Sequence, residues 1–270
     1  MPLNISSWFS PTTKACPICG RAGAPAASPI AIPIRHPEPR KILSSLCAPC
    51  RKAIPWISNP VCRICGRAER CEDCTRRQQR NYTVSRCAVR YDYLMKDWLA
   101  LYKYRGNEGL ESILAAMLAF AYERLCEYSP QSHSFAAITS VPLAPERLQD
   151  RGFNQAERLA LQLSRWYGLS YRPMLLRLRH TEKQSLKTRR SRVVDMRGNF
   201  SAVSSELFSH SSTLPLSPAA PTAASTTPRI ILVDDIYTTG STLEECARVL
   251  RQSAIPEALP EIYGLLWARS

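Results

Sequence analysis

Two groups of residues in this chain have the types and spacing to do chemistry. The first is the run Val233-Asp234-Asp235-Ile236-Tyr237-Thr238-Thr239-Gly240-Ser241-Thr242, which follows the apolar Ile230-Ile231-Leu232 and precedes a helical pattern from Leu243 to Gln252. Backbone N–H groups at a loop-to-helix junction have no intrahelical partner, and the helix dipole favours an anion there. Thr238, Thr239, Ser241 and Thr242 add hydroxyl donors, and Gly240 lets the backbone approach closely. Asp234 and Asp235 are acceptors suited to vicinal sugar hydroxyls or to a hard cation. Strand, acidic pair, hydroxyl-rich loop and helix start together describe a site for a phosphorylated sugar.

The second group is cysteine. Eight of the eleven cysteines form four C-x-x-C pairs, Cys16/Cys19, Cys47/Cys50, Cys62/Cys65 and Cys71/Cys74. Each pair puts two thiolates on one side of a tight turn, and two pairs complete the tetrahedral four-sulfur set that zinc favours. Two structural Zn2+ ions are therefore expected. Sequential pairing puts Cys16, Cys19, Cys47 and Cys50 on one ion and Cys62, Cys65, Cys71 and Cys74 on the other; nested pairing also satisfies the spacing. The residues between the knuckles are rich in Pro and Arg, so metal is expected to supply most of this module's folding energy. Cys87, Cys126 and Cys246 are scattered, as ordinary buried thiols are.

The whole chain sets the setting for both groups. Its 270 residues suffice for two domains and a sizeable core. Met1 to Ser10 lacks the basic start and long apolar stretch of a secretory signal, so the expectation is a cytoplasmic protein whose cysteines hold metal, not disulfides. The greasiest region, Leu110 to Leu125, carries Glu111, Glu123 and Arg124 and is too short to span a bilayer, so any membrane association is expected only through partners. A formal charge of +14 points to nucleic acid, phosphorylated substrates or another anionic partner.

The elements that must position the acidic pair begin near Tyr82. Cys87, Val89 and Tyr91 alternate as in a strand. Leu94, Trp98, Leu99 and Tyr102 follow helical spacing and end in Lys103-Tyr104-Arg105-Gly106. A second helix carries Leu110, Ile113, Leu114, Met117, Leu118, Ala121 and Leu125 on one broad face. A strand from Ala136 to Val141 stops at Pro142 and leads into a basic loop, Val141 to Phe153, with Arg147 and Arg151; ligands bind at such strand ends in open α/β sheets. Asn154 with Glu157 resembles a capping box, which starts a helix with Ala156, Leu159, Ala160 and Leu163 facing its core. Trp166 and Tyr167 have the chemistry to stack nucleic-acid bases, but their helical spacing favours the core or a domain interface. Arg177 and Arg179 open a basic segment that continues through Gln184, Arg189, Arg190 and Arg192. Residues 201–228 are rich in Ser, Ala, Thr and Pro and read as a disordered insertion. Residues 261–268 are apolar on both faces, as in a buried strand.

The acidic run resembles the 5-phosphoribosyl-1-pyrophosphate (PRPP) motif of type I phosphoribosyltransferases. That resemblance implies that Asp234 and Asp235 hold the ribose hydroxyls and that Thr238, Thr239, Gly240, Ser241 and Thr242 cradle the 5′-phosphate. It also implies that Arg147 and Arg151 in a pyrophosphate loop, with Arg177, Arg179 and Gln184 in a closing hood, meet the pyrophosphate, and that Mg2+ accompanies PRPP. Members acting on guanine or hypoxanthine place a carboxylate base two residues before the motif glycine; here that residue is Thr238, and no general base is apparent.

The ordered set is more specific. The C-x-x-C array, Lys-Tyr-Arg-Gly, Arg-Gly-Phe-Asn-Gln-Ala-Glu, Arg-x-Arg-x-Thr-x-x-Gln-x-x-Leu and the acidic run together resemble the ComF family over nearly the whole chain. The resemblance implies an α/β fold: a type I phosphoribosyltransferase-like, mostly parallel sheet with flanking helices over 81–270, preceded by a zinc-ribbon module over 1–80. It implies a part in DNA uptake during natural transformation. The partners are then PRPP or a ribose 5-phosphate-like ligand, single-stranded DNA and a helicase-like ATPase. Two features depart from the pattern: the insertion is long, and Asp195 stands in the hood where Asn is expected.

Overall fold

The computed structural model describes residues 15–21, 31–77, 79–104, 108–128, 135–178, 198–203 and 227–270. Along the chain come α1 (Pro37–Ser44), α2 (Ala48–Lys52), α3 (Glu72–Arg76), β1 (Val84–Arg90), α4 (Tyr93–Tyr104) and α5 (Glu108–Tyr128). Then follow β2 (Ala137–Ser140), α6 (Pro145–Arg151), α7 (Gln155–Tyr167), β3 (Leu175–Arg177), β4 (Phe200–Ala202), β5 (Arg229–Tyr237), α8 (Ser241–Gln252) and β6 (Glu261–Arg269).

β1, β6, β5 and β2 form, in that order, a four-stranded sheet in which every pair is parallel. Parallel sheets need both faces covered, which is why β6, at the centre, is buried from Ile262 to Arg269. Strand alternation sorts the core in two. Ile231, Val233, Tyr263, Leu265 and Trp267 pack with α5 and α7, while Ile230, Leu232, Ile262 and Leu266 pack with α8. Gly264 has no room for a side chain, since a Cβ there would lie 2.6 Å from Leu243 Cδ2, so α8 rests directly on the sheet. β3 and β4 make a separate antiparallel pair.

Several local expectations are refined. In α5 every residue from Leu114 to Ala121 is fully buried, not one face alone, because the sheet, α1 and α7 enclose it. The basic stretch read as a loop contains α6, with Pro145 in its first turn and Gly152, at φ +79°, closing it in the left-handed region. Asn154 does cap α7, but its side chain accepts from Ala156 N at 3.2 Å and donates to the Val141 carbonyl, while Glu157 accepts from Tyr171 Oη. β4 takes in Ser201 and Ala202, so regular structure reaches past the start of the stretch read as an insertion. Residues 204–226 lie outside the described residues.

The cysteine-bearing segment does not stand apart from the sheet. Leu43, Leu46 and Ile54 are buried in the same core as α5, so apolar burial against the second segment adds to whatever folding energy a metal supplies. Its chain also docks on β1: Ser85 N donates to the Ile64 carbonyl at 2.7 Å, Ile57 N to Ala88 and Arg90 N to Pro55. Among the described residues no helix is long and apolar enough to cross a membrane.

Candidate functional site

The site forms where β5 and β2 end. Asp234 and Asp235 lie two to three residues before the end of β5 at Tyr237, and the turn Thr238-Thr239-Gly240 feeds α8. Gly240 has φ +76°, and a Cβ there would lie 2.2 Å from Tyr237 Oη, so both conformation and space demand glycine. Thr239 and Ser241 are buried and their hydroxyls bond each other at 2.9 Å, which sets the loop's shape. Thr238, exposed, and Thr242, half-buried, line the cleft instead.

One cavity of about 210 Å3 brings the predicted residues together, room for several waters or a small polar ligand. Asp234, Asp235, Thr238 and Thr242 line it together with Arg147, Arg151 and Arg177. Arg147 and Arg151 reach it from successive turns of α6, and Arg177 from the end of β3. Arg151 donates to Gln155 Oε1 at the start of α7. Arg179 and Gln184 lie outside the described residues.

Lys103 is the residue the motif reading did not place. It comes from the last turn of α4 and forms an ion pair with Asp235. Its only sequence signal was membership of the Lys-Tyr-Arg-Gly string. The neighbouring carboxylates therefore differ. Burial works to raise the Asp235 carboxyl, but the charge and hydrogen bond of Lys103 hold it below the usual range. Burial, and then the charge of Asp235, push Asp234 up to about 7. Burial lowers the Arg177 guanidinium, and the nearby charge of Arg147 lowers it further. Paired cations facing an acidic pair suit a ligand that carries both phosphate and a diol.

The cysteines gather in the sequential pairing. Cys16, Cys19, Cys47 and Cys50 form one cluster and Cys62, Cys65, Cys71 and Cys74 the other, with all sulfurs of a cluster within 4.8 Å of one another. A zinc–sulfur bond of about 2.3 Å puts tetrahedral sulfurs about 3.8 Å apart. Cys19 and Cys47 are 3.7 Å apart and Cys65 and Cys71 3.6 Å, so both donor sets fit zinc in a closed, structural site.

The second cluster stands directly behind the hydroxyl loop. Arg269, at the end of β6, places one guanidinium nitrogen 3.9 Å from Cys65 Sγ and another 3.1 and 2.9 Å from the carbonyls of Tyr237 and Thr238. Tyr82 Oη lies 2.8 Å from Tyr237 Oη. Arg77 donates to the Thr239 carbonyl, and Asn81 donates to Glu244 in the first turn of α8.

No protein-family model matches the chain. Competence protein ComFC of Bacillus subtilis is 31% identical over 219 residues, which cover 76% of this chain and 77% of that protein. The chain belongs to the ComF family. Competence protein F of Haemophilus influenzae is 29% identical over 82% of this chain and 90% of its own length. Competence protein ComFC of Streptococcus pneumoniae is 29% identical over 78% and 83%. Within this ComF-family chain the two four-cysteine clusters and the parallel sheet occur together, as the ordered motifs imply.

Proposed function

We propose that this ComF-family protein binds PRPP with Mg2+, or a related phosphoribosyl ligand, in the cleft at the end of β5, and that it serves DNA uptake during natural transformation. The observation that carries the ligand reading is the convergence of Asp234, Asp235, Lys103, Arg147, Arg151 and Arg177 on one cavity beside a hydroxyl-rich loop. The acidic pair takes the ribose hydroxyls and, with the ligand, Mg2+. The loop from Thr238 to Thr242 takes the 5′-phosphate, and the three arginines take the pyrophosphate. Bound Mg2+ supplies charge neutralisation at the pyrophosphate. Among the described residues the cleft holds no carboxylate other than the pair, and no histidine. Likeness to three proteins named for competence supports the place in DNA uptake; a helicase-like ATPase as partner is what the family resemblance implies.

Titration of the protein with PRPP, with and without Mg2+ and with single-stranded DNA as competitor, tests the ligand reading. Saturable, Mg2+-strengthened binding that Asp234→Asn and Asp235→Asn abolish is expected. Absence of binding by both PRPP and ribose 5-phosphate would overturn it. A second reading, direct binding of single-stranded DNA, draws on the formal charge of +14 and the arginines around the cleft. It requires affinity that falls steeply with salt. Displacement of PRPP by DNA would place both ligands on the same arginines.

A further inference from the structure

We infer that the second cysteine cluster braces the phosphoribosyl loop, with Arg269 as the positioning residue between them. The inference rests on the reading of residues 238–242 as the phosphate loop. Arg269 is 4% exposed and Cys65 is fully buried, so their contact is shielded from water and salt. The same guanidinium donates to two carbonyls of the loop, Tyr237 and Thr238, and lies over the Tyr237 ring at 4.5 Å. The Tyr237 ring in turn fills the space beneath Gly240. A displacement of the Cys65 sulfur is thus passed through one rigid side chain to the backbone that presents the loop's N–H groups.

Two further ties leave the same segment. Tyr82 holds the Tyr237 hydroxyl, and Arg77 holds the Thr239 carbonyl. Both residues follow Cys74 closely in sequence, so the chain that leaves the cluster also clasps the loop. Within the loop the Thr239 and Ser241 hydroxyls bond each other, and these outside ties hold the backbone beside that pair. Without the bracing, its donors lose the preorganisation on which anion affinity depends. The first cluster has no comparable contact with the loop among the described residues; it packs with the core on the α5 side of the sheet.

Arg269→Gln in the full-length protein is the test, with zinc content measured beside it. With both ions retained, ribose 5-phosphate affinity falls about tenfold and amides 238–242 exchange about tenfold faster, the scale for loss of a charge-assisted hydrogen bond. With cobalt in place of zinc, ribose 5-phosphate shifts the visible spectrum of the parent protein but not that of Arg269→Gln. Arg67→Gln, which loses a hydrogen bond to the Ser270 carbonyl, leaves the loop's exchange unchanged. If Arg269→Gln keeps both ions and its affinity and exchange stay within about twofold of the parent, the bracing is refuted. Should that variant lose metal, Tyr82→Phe decides: faster exchange of the loop upholds the inference and unchanged exchange overturns it. If the parent binds no ribose 5-phosphate, the ligand reading fails, while amide exchange still reports the bracing.

Discussion

The two cysteine clusters share four-sulfur chemistry and differ in what they touch. In the first, Cys19 is exposed, Cys47 and Cys50 are half-buried and only Cys16 is buried; in the second, Cys62 is half-buried and Cys65, Cys71 and Cys74 are buried. The first packs on the α5 and α7 side of the sheet. On that side Glu123 of α5 accepts from Arg35 N, His36 N and Tyr167 Oη, which joins the start of α1 to α5 and α7. The second sits on the opposite face, in the same apolar cluster as α8 and Tyr237. A structural metal site takes its role from the groups just outside its ligands. One cluster packs on the α5 side of the sheet; the other stands behind the turn from Thr238 to Thr242.

The largest test of this contrast removes one ligand from each cluster. Cys65→Ser and Cys47→Ser should each release one zinc ion, because a closed site needs all four sulfurs. We expect Cys65→Ser to lower ribose 5-phosphate affinity by about a hundredfold and Cys47→Ser by less than about threefold, in line with the scale of outer-sphere effects on metal sites. Metal analysis paired with calorimetric titration measures both, and equal losses of affinity would erase the contrast.

Gly240→Ala attacks the loop from its other side. It forces a side chain into the left-handed region and against the Tyr237 ring, at a combined cost of about 2–4 kcal/mol. Denaturant unfolding should register that cost, and ribose 5-phosphate affinity should drop with it. Glu123→Ala strikes the first cluster's side. Three donors lose their acceptor, for about 1–3 kcal/mol of stability. Hydrogen exchange at residues 238–242 should not respond; faster exchange there would mean that both faces of the sheet support the loop.

The smallest effect concerns pH. Asp234 is pushed up to about 7, so a proton competes with any cation at the acidic pair. Mg2+-dependent PRPP affinity should rise between about pH 6 and 8, by at most about tenfold per unit, and Asp234→Asn should flatten the profile. The stability effect has the opposite sense. A carboxyl raised in the folded state binds its proton more tightly there than when unfolded, so its contribution to stability declines as pH rises from about 4 to 7. Asp235, lowered by Lys103, contributes stability above the ordinary carboxylate range and loses it in acid.

Much of this was legible in the residues, for local reasons. Val233 to Thr242 carries its own strand end, turn glycine and helix start within ten residues, and β5 and α8 form where that pattern puts them. The four knuckles specify their turns just as locally. The basic stretch before Asn154 was harder, because a seven-residue helix with no buried residue leaves little periodicity to read. Thr239 and Ser241 look like free donors in sequence, and only the folded turn reveals that their hydroxyls meet.

The sequence by itself determined the chemistry on offer: eight thiolates in pairs, two adjacent carboxylates, a hydroxyl-rich loop and the arginines around it. The tertiary structure decided the company each group keeps. It chose sequential over nested pairing of the knuckles, brought Lys103 to Asp235, and set Arg269 between Cys65 and the loop. The physical reason is range. Turn and helix preferences act over a few residues, whereas these three choices depend on how separate elements pack on opposite faces of one parallel sheet.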